Sequence, residues 1–314
     1  MKKQRNMWMI GLKWLAVLAA LAFLVVKLKD QTHLLNPNSL DWEAPHLLLA
    51  ACLLMPINWI IESIKWKKLT ADFAPLSLKA AIKAVLIGVF YTMFTPNRVG
   101  EGAGRLHSIP PGNKSRAGYA FVLGSGAQLL TTLLMGGLGL IYFSFSKTPE
   151  PWLNSVYLLV LLVLLVLVVG LYISPFRKNI QGIAQDQQGF FASRIATLQQ
   201  YKLKMKAQIL FLSILRYVVF STQFVLCLLA LQPNHGISEL YARVATVYLG
   251  STIIPSFALA EIGLRESLAI LIFETSSFTA PVVFQITLLV WVINLLLPAL
   301  IGVVAFFQSK KGKS

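Results

Sequence analysis

Residues 95–105 read TPNRVGEGAGR, and they interrupt an apolar run, residues 84–94, that is too short to cross a bilayer. A spanning helix needs about 20 predominantly apolar residues. Pro96 lacks a backbone donor and disfavours helical angles at the residue before it, while Gly100 and the glycines that follow permit turns. Charged residues beside a broken apolar helix are costly in lipid, so this break is a candidate functional cavity.

A second break with the same ingredients lies in the other half of the chain. Residues 253–266 read IIPSFALAEIGLRE, in which Pro255 and Gly263 interrupt another apolar segment. Paired segments that are interrupted by proline and glycine in two halves of a chain are typical of transporter binding sites. The alternative is that these are two unrelated loops between ordinary helices.

Composition places the chain in a membrane. Hydrophobic residues make up 56% of the chain and charged residues 13%. The net charge of +16 could indicate a nucleic-acid partner, but the basic residues lie beside the apolar runs. The positive-inside rule puts them there, with some attraction to anionic lipid. We therefore predict a polytopic membrane protein and no nucleic-acid partner.

The apolar runs predict one transmembrane domain over residues 1–314, with a first half of about 1–147 and a second of about 150–308. A basic segment at 175–206 carries apolar residues at roughly helical spacing, which favours a cytoplasmic amphipathic linker. The predicted spanning helices are about 9–26, 46–64, 117–145, 152–173, 207–231 and 281–307.

The distribution of charge decides between two topologies. If both broken segments also crossed the membrane, the basic 175–206 segment would lie outside. If both are re-entrant hairpins, this segment, both termini and most basic residues lie in the cytoplasm. The predicted fold is therefore an all-α polytopic protein of the inner (plasma) membrane. It has six spanning helices and two opposed re-entrant hairpins, arranged as an inverted-topology repeat.

The breaks also contain the candidate site. Arginine presents a planar fork that suits phosphate, so a lipid headgroup is the natural ligand; alternatively, these charges only pair with one another and hold the hairpins together. The candidate substrate-binding residues are Arg98, Glu101, Arg105, Glu261, Arg265, Glu266 and, inside an apolar helix, Arg216.

Three polar residues lie within apolar helices rather than in the breaks. Arg216 either faces the protein interior or extends its side chain to the membrane surface. Gln128 and Asn294 are predicted to form hydrogen bonds between helices.

Nothing in the sequence indicates an enzyme. It shows no Ser/His/Asp set, no metal-ligand spacing and no glycine loop that follows a strand. We therefore predict no catalytic residue, no cofactor and no metal.

The motif Pro96-x-Arg98-x-Gly100-Glu101-x-x-x-Arg105, together with Pro255 and Gly263-Leu264-Arg265-Glu266, resembles the lysylphosphatidylglycerol synthase transmembrane family. This is the flippase-like region of the multiple peptide resistance factor, which also occurs as a stand-alone membrane protein. The resemblance covers most of the chain.

The resemblance implies movement of an anionic or aminoacylated phospholipid between leaflets. It does not imply aminoacylation, because the soluble transfer domain of the full-length synthases is not expected here. The expected partners are a membrane phospholipid and either a second copy of the chain or a neighbouring membrane or cytoplasmic enzyme. The alternative function is an accessory or catalytic membrane subunit that acts on a lipid-linked polyprenyl substrate.

Overall fold

The computed structural model describes residues 40–93, 95, 99–146, 162, 166, 201–253 and 258–311. Within these ranges every regular element is a helix. The elements are α1 (His46–Thr70), α2 (Leu78–Thr92), α3 (Val99–Leu106), a 3₁₀ turn (Pro111–Asn113), α4 (Lys114–Ser146), α5 (Leu203–Leu229), α6 (Ile237–Ile253), α7 (Ala258–Phe273), α8 (Ala280–Trp291), a π-helical segment (Val292–Leu296) and α9 (Leu297–Lys311).

Four helical stretches are long and apolar enough to cross a membrane. They are His46–Thr70, Pro111–Tyr142, Leu203–Leu229 and Ala280–Gln308. The all-helical membrane class is therefore confirmed. The predicted spans at 9–26 and 152–173 lie outside the described residues, apart from two isolated helical positions. The part of the linker from 175 to 200 also lies outside them.

The spans are longer than the apolar runs alone predict. α1 continues past residue 64 to Thr70, and α5 begins at Leu203 rather than 207. Lys65, on the added turn of α1, is only 1% exposed and ion-paired. Buried charges are tolerated when they are paired, so α1 continues through Lys65 instead of ending there.

Each predicted break separates two short helices that pack against each other. α2 contacts α3 across the first break, and α6 contacts α7 across the second. Thr95 lies in the first break, where its hydroxyl accepts a hydrogen bond from the Gly100 N–H at 2.8 Å. This bond satisfies one of the backbone donors that a helix start leaves unpaired. The first predicted interruption is therefore a real break between two helices, whereas residues 254–257 of the second lie outside the described residues.

The two halves of the chain contact each other in a reciprocal way. α9 packs against α2, and α4 packs against α6, so a short helix beside each predicted break lies against a long helix from the other half of the chain. Glycines permit both approaches: a Cβ on Gly302 would lie 2.1 Å from the Leu86 carbonyl oxygen, and one on Gly139 would lie 2.7 Å from that of Ala242. In the described residues, the two halves thus have the same order of helices and make matching contacts with each other.

α1 and α5, the corresponding first described spans of the two halves, pack along each other. One apolar cluster surrounds α1, α2 and α4, with Trp66 and Trp291 among its largest members. A second surrounds α5 and α6, with Phe224 and Phe273 in its centre. The contact between α1 and α5 therefore lies where the two apolar clusters meet.

Candidate functional site

A buried carboxylate, Glu62 on α1, is the centre of a charged cluster. Its Oε2 lies 2.7 Å from the Lys65 Nζ and 3.2 Å from the Arg216 Nη1. Its Oε1 accepts a hydrogen bond from the Arg105 Nη2 at 2.8 Å. Glu62 is 3% exposed, and these three cations are 1%, 8% and 2% exposed respectively. One carboxylate thus holds three cations in a water-excluded interior.

Three helices bring these groups together. Lys65 follows Glu62 by one turn of α1, so both side chains lie on one face of that helix. Glu101 and Arg105 are likewise one turn apart on α3, where they form an ion pair. Arg216 reaches the cluster from α5. We name Glu62, Lys65, Glu101, Arg105 and Arg216 the charge cluster.

Arg216 is oriented by neutral partners as well as by Glu62. Its Nε donates to the Asn58 Oδ1 at 3.0 Å, and its Nη1 donates to the Gln128 Oε1 at 3.4 Å. Its guanidinium carbon lies 5.1 Å from the centroid of the Trp59 ring. Stacking on an aromatic face suits a guanidinium that is poorly hydrated. Of the two placements predicted for Arg216, the interior one is confirmed.

In and beside the charge cluster, two buried hydrogen-bond donors lack an acceptor among the described residues. Among the described residues, three cations of the cluster lie against two carboxylates. Among the described residues, the Arg105 Nε and the Gln128 Nε2 are buried and have no hydrogen-bond partner. An unpaired buried donor costs about 1–3 kcal/mol, so an anion that accepted hydrogen bonds here would remove a cost as well as balance charge.

The cluster is part of a longer polar seam between α1 and α5. Polar contacts recur along this helix pair, and their order shows that the helices run antiparallel. They join Gln223 to the Ala51 carbonyl at 2.9 Å, Arg216 to Asn58 at 3.0 Å, Lys65 to Ser213 at 3.4 Å and Lys68 to Gln208 at 3.4 Å. With a rise of 1.5 Å per residue, they extend over about 25 Å, close to the thickness of the hydrocarbon core.

A local change of helix type lies beside the seam. Asn294 belongs to the π-helical segment, and its Oδ1 accepts a hydrogen bond from the Asn58 Nδ2 at 3.3 Å. Asn58 in turn accepts from Arg216. Single π-helical turns are frequent at functional sites. The hydrogen bonds predicted between helices for Gln128 and Asn294 are both confirmed.

The structure brings some of the predicted site residues together. Glu101, Arg105 and Arg216 all belong to the charge cluster, and the predicted pairing of hairpin charges is present between the first two. Three of the predicted positions, Arg98, Pro96 and Pro255, lie outside the described residues.

In the second predicted break, Glu266 forms a hydrogen bond within α7. Glu266 is 1% exposed, and its Oε2 accepts the N–H of Gly263, which has a φ of 93°. Arg265, which directly precedes Glu266, is also buried. Glu261 lies on α7, but its side chain is outside the described set.

Sequence reasoning did not select Glu62 or Lys65 as site residues. The signal that could have found them is the spacing of Asn58, Glu62 and Lys65, which are four and three residues apart on an otherwise apolar helix. That spacing gives a helix one polar face. Such a face in a spanning helix indicates a polar neighbour inside the bundle.

The fold and site define a polytopic helical membrane protein with a buried cluster of charged residues, which lies where α3 meets two spans. The sequence profile of the lysylphosphatidylglycerol synthase transmembrane region matches residues 8–302. The chain belongs to this family, so its role is related to membrane lipid. No curated protein matches the chain, and no solved structure does either.

Proposed function

We propose that this protein moves an anionic or aminoacylated phospholipid between leaflets, and that the charge cluster holds the phosphate of the headgroup. The observation that carries this proposal is the set of three buried cations around Glu62. A phosphodiester carries one negative charge, which would neutralise three cations and two carboxylates. Movement of this kind requires no covalent step and no cofactor.

The donors in the cluster suit this ligand. Arg105 and Arg216 present planar forks, which bind phosphate through two hydrogen bonds at once. The unused donors of Arg105 and Gln128 add further contacts. Arg98, in the same motif of the first break, is proposed as an additional phosphate ligand. Glu261, Arg265 and Glu266 are proposed as the corresponding groups in the second hairpin.

The proposed topology is six spans with two opposed re-entrant hairpins. At 1.5 Å per residue, α2 and α3 are about 22 Å and 12 Å long, and neither crosses a hydrocarbon core of about 30 Å. α6 and α7, of 17 and 16 residues, are also shorter than an ordinary span. The contacts that each hairpin makes with the other half support an inverted repeat. In the proposed orientation, both termini lie in the cytoplasm and the protein lies in the inner membrane.

Transport requires the seam to open. Asn58, Glu62, Lys65 and Ser213 are all buried at the contact between α1 and α5, so this arrangement is occluded. In the proposed cycle, α1 and α5 separate and the phosphate replaces a carboxylate of Glu62 or Glu101 at the arginines. The carboxylate returns when the lipid leaves. The acyl chains stay in the bilayer while the headgroup moves along the polar seam between α1 and α5.

The test is a scrambling assay in liposomes with fluorescent phosphatidylglycerol, lysyl-phosphatidylglycerol or phosphatidylethanolamine on both leaflets. An impermeant reductant added outside reports how much lipid becomes accessible. The wild-type protein should increase exchange of an anionic or aminoacylated lipid. Arg216→Gln should lose most of that increase. Arg116→Gln removes an equal charge from an exposed position on α4 and should keep it.

Two results would overturn the proposal. One is a wild-type protein that exchanges none of these lipids faster than empty liposomes. The other is an Arg216→Gln protein that exchanges lipid at the wild-type rate. Size-exclusion profiles of each variant in detergent separate loss of transport from loss of fold.

A further inference from the structure

A groove opens where α1 ends and α2 begins. Its walls are apolar and come from Ile64, Pro75, Leu76 and Leu78, and two cationic side chains, Lys67 and Lys68, line it as well. Lys67 is exposed and Lys68 is half-buried. The groove therefore combines an apolar floor with two ammonium groups at the end of a spanning helix.

This combination matches one kind of ligand in a membrane. The end of a spanning helix lies at the boundary between hydrocarbon and water. An anionic phospholipid presents a phosphate and the first carbons of its chains at that depth. Lysines near a membrane surface attract anionic lipid, and their long stems cover apolar surface while the ammonium stays near water.

The groove is continuous with the polar seam. Lys68 lines the groove, and its Nζ also donates to the Gln208 Oε1 of α5 at 3.4 Å. One turn deeper on the same helix, the Lys65 Nζ contacts the Ser213 Oγ at 3.4 Å and the Glu62 carboxylate at 2.7 Å. A series of ammonium groups thus leads from the surface of the protein to the charge cluster.

We propose that this groove is the loading subsite for the phosphate of an anionic phospholipid in the adjacent leaflet. From here the phosphate passes from Lys68 to Lys65 and then to the arginines. This inference rests on the proposed transport function and adds to it the place where the headgroup enters.

The experiment compares two double variants in the scrambling assay. Lys67→Gln/Lys68→Gln removes the two groove charges. Lys83→Gln/Lys114→Gln removes the same charge from two lysines that do not line the groove. Initial rates are measured over a series of phosphatidylglycerol fractions in phosphatidylcholine liposomes, which gives the fraction at half-maximal rate.

The groove variant should require a phosphatidylglycerol fraction at least about fivefold higher for half-maximal rate. The control variant should change by less than about twofold, because its lysines act only through screened, long-range attraction. Added salt should weaken the wild-type response more than that of the groove variant.

Two results would overturn the loading subsite. One is an unchanged half-maximal fraction in the groove variant, whatever its maximal rate, and the other is an equal shift in both variants. If the wild-type protein exchanges no lipid at all, the transport function itself fails. The two proposals are therefore separately testable.

Discussion

Replacing Glu62 by glutamine should destabilise the protein strongly. Glutamine keeps the size of the side chain but removes a charge that contacts Lys65, Arg105 and Arg216 together, at 2.7, 2.8 and 3.2 Å. The charge cluster then holds three cations against one carboxylate. The glutamine amide would also direct donors at groups that can only donate.

The expected loss is about 3–5 kcal/mol, the usual cost of removing one partner from a buried ion pair. A second change should recover part of it. Lys65→Met in the Glu62→Gln background removes one of the cations that have lost their partner. Directly contacting residues show interaction energies of about 0.5–3 kcal/mol, so the double variant should be more stable than the sum of the single losses predicts.

The assay is unfolding in mixed micelles with increasing sodium dodecyl sulfate, followed by tryptophan fluorescence. Glu43→Gln, at an exposed position before α1, is the matched control and should stay within about 0.5 kcal/mol of wild type. If Glu62→Gln is as stable as this control, or if the two changes at 62 and 65 simply add, then the described ion pairs do not hold the cluster together.

The same unfolding assay checks three further predictions. Gly302→Ala should cost about 1–3 kcal/mol, because its Cβ would lie 2.1 Å from the Leu86 carbonyl oxygen; Gly126→Ala, with nothing within 4 Å, should stabilise α4 by up to about 1 kcal/mol. Gly263→Ala should cost about 1–2 kcal/mol, because its φ of 93° strains any residue with a Cβ. Thr95→Val should cost about 1 kcal/mol, because it removes the oxygen that caps α3.

Each of these predictions has a result that contradicts it. Equal stability of the Gly302 and Gly126 variants would mean that α9 does not approach α2 as closely as described. An unchanged stability of Gly263→Ala would rule out the left-handed backbone conformation at Gly263 in α7. An unchanged stability of Thr95→Val would show that water, and not Thr95, satisfies the Gly100 N–H.

The sequence alone identified the membrane class and the break between α2 and α3. These features depend on the local distribution of apolar, charged, proline and glycine residues, and that distribution is visible along the chain. The same reasoning selected Arg105 and Glu101, because charges beside a broken apolar helix stand out. It also singled out Arg216, although it left two placements open.

Only the tertiary structure decided which charges meet. Glu62 and Lys65 lie at the end of an apolar run, where a sequence reader expects contact with solvent. They are buried because α1 and α5 pack antiparallel and bring Arg216 and Ser213 against the same face. A charge buried within a spanning helix needs a partner, and two of the three cations at Glu62 come from other helices. The sequence displays the charge, but the identity of its partner depends on how helices distant in the chain pack together.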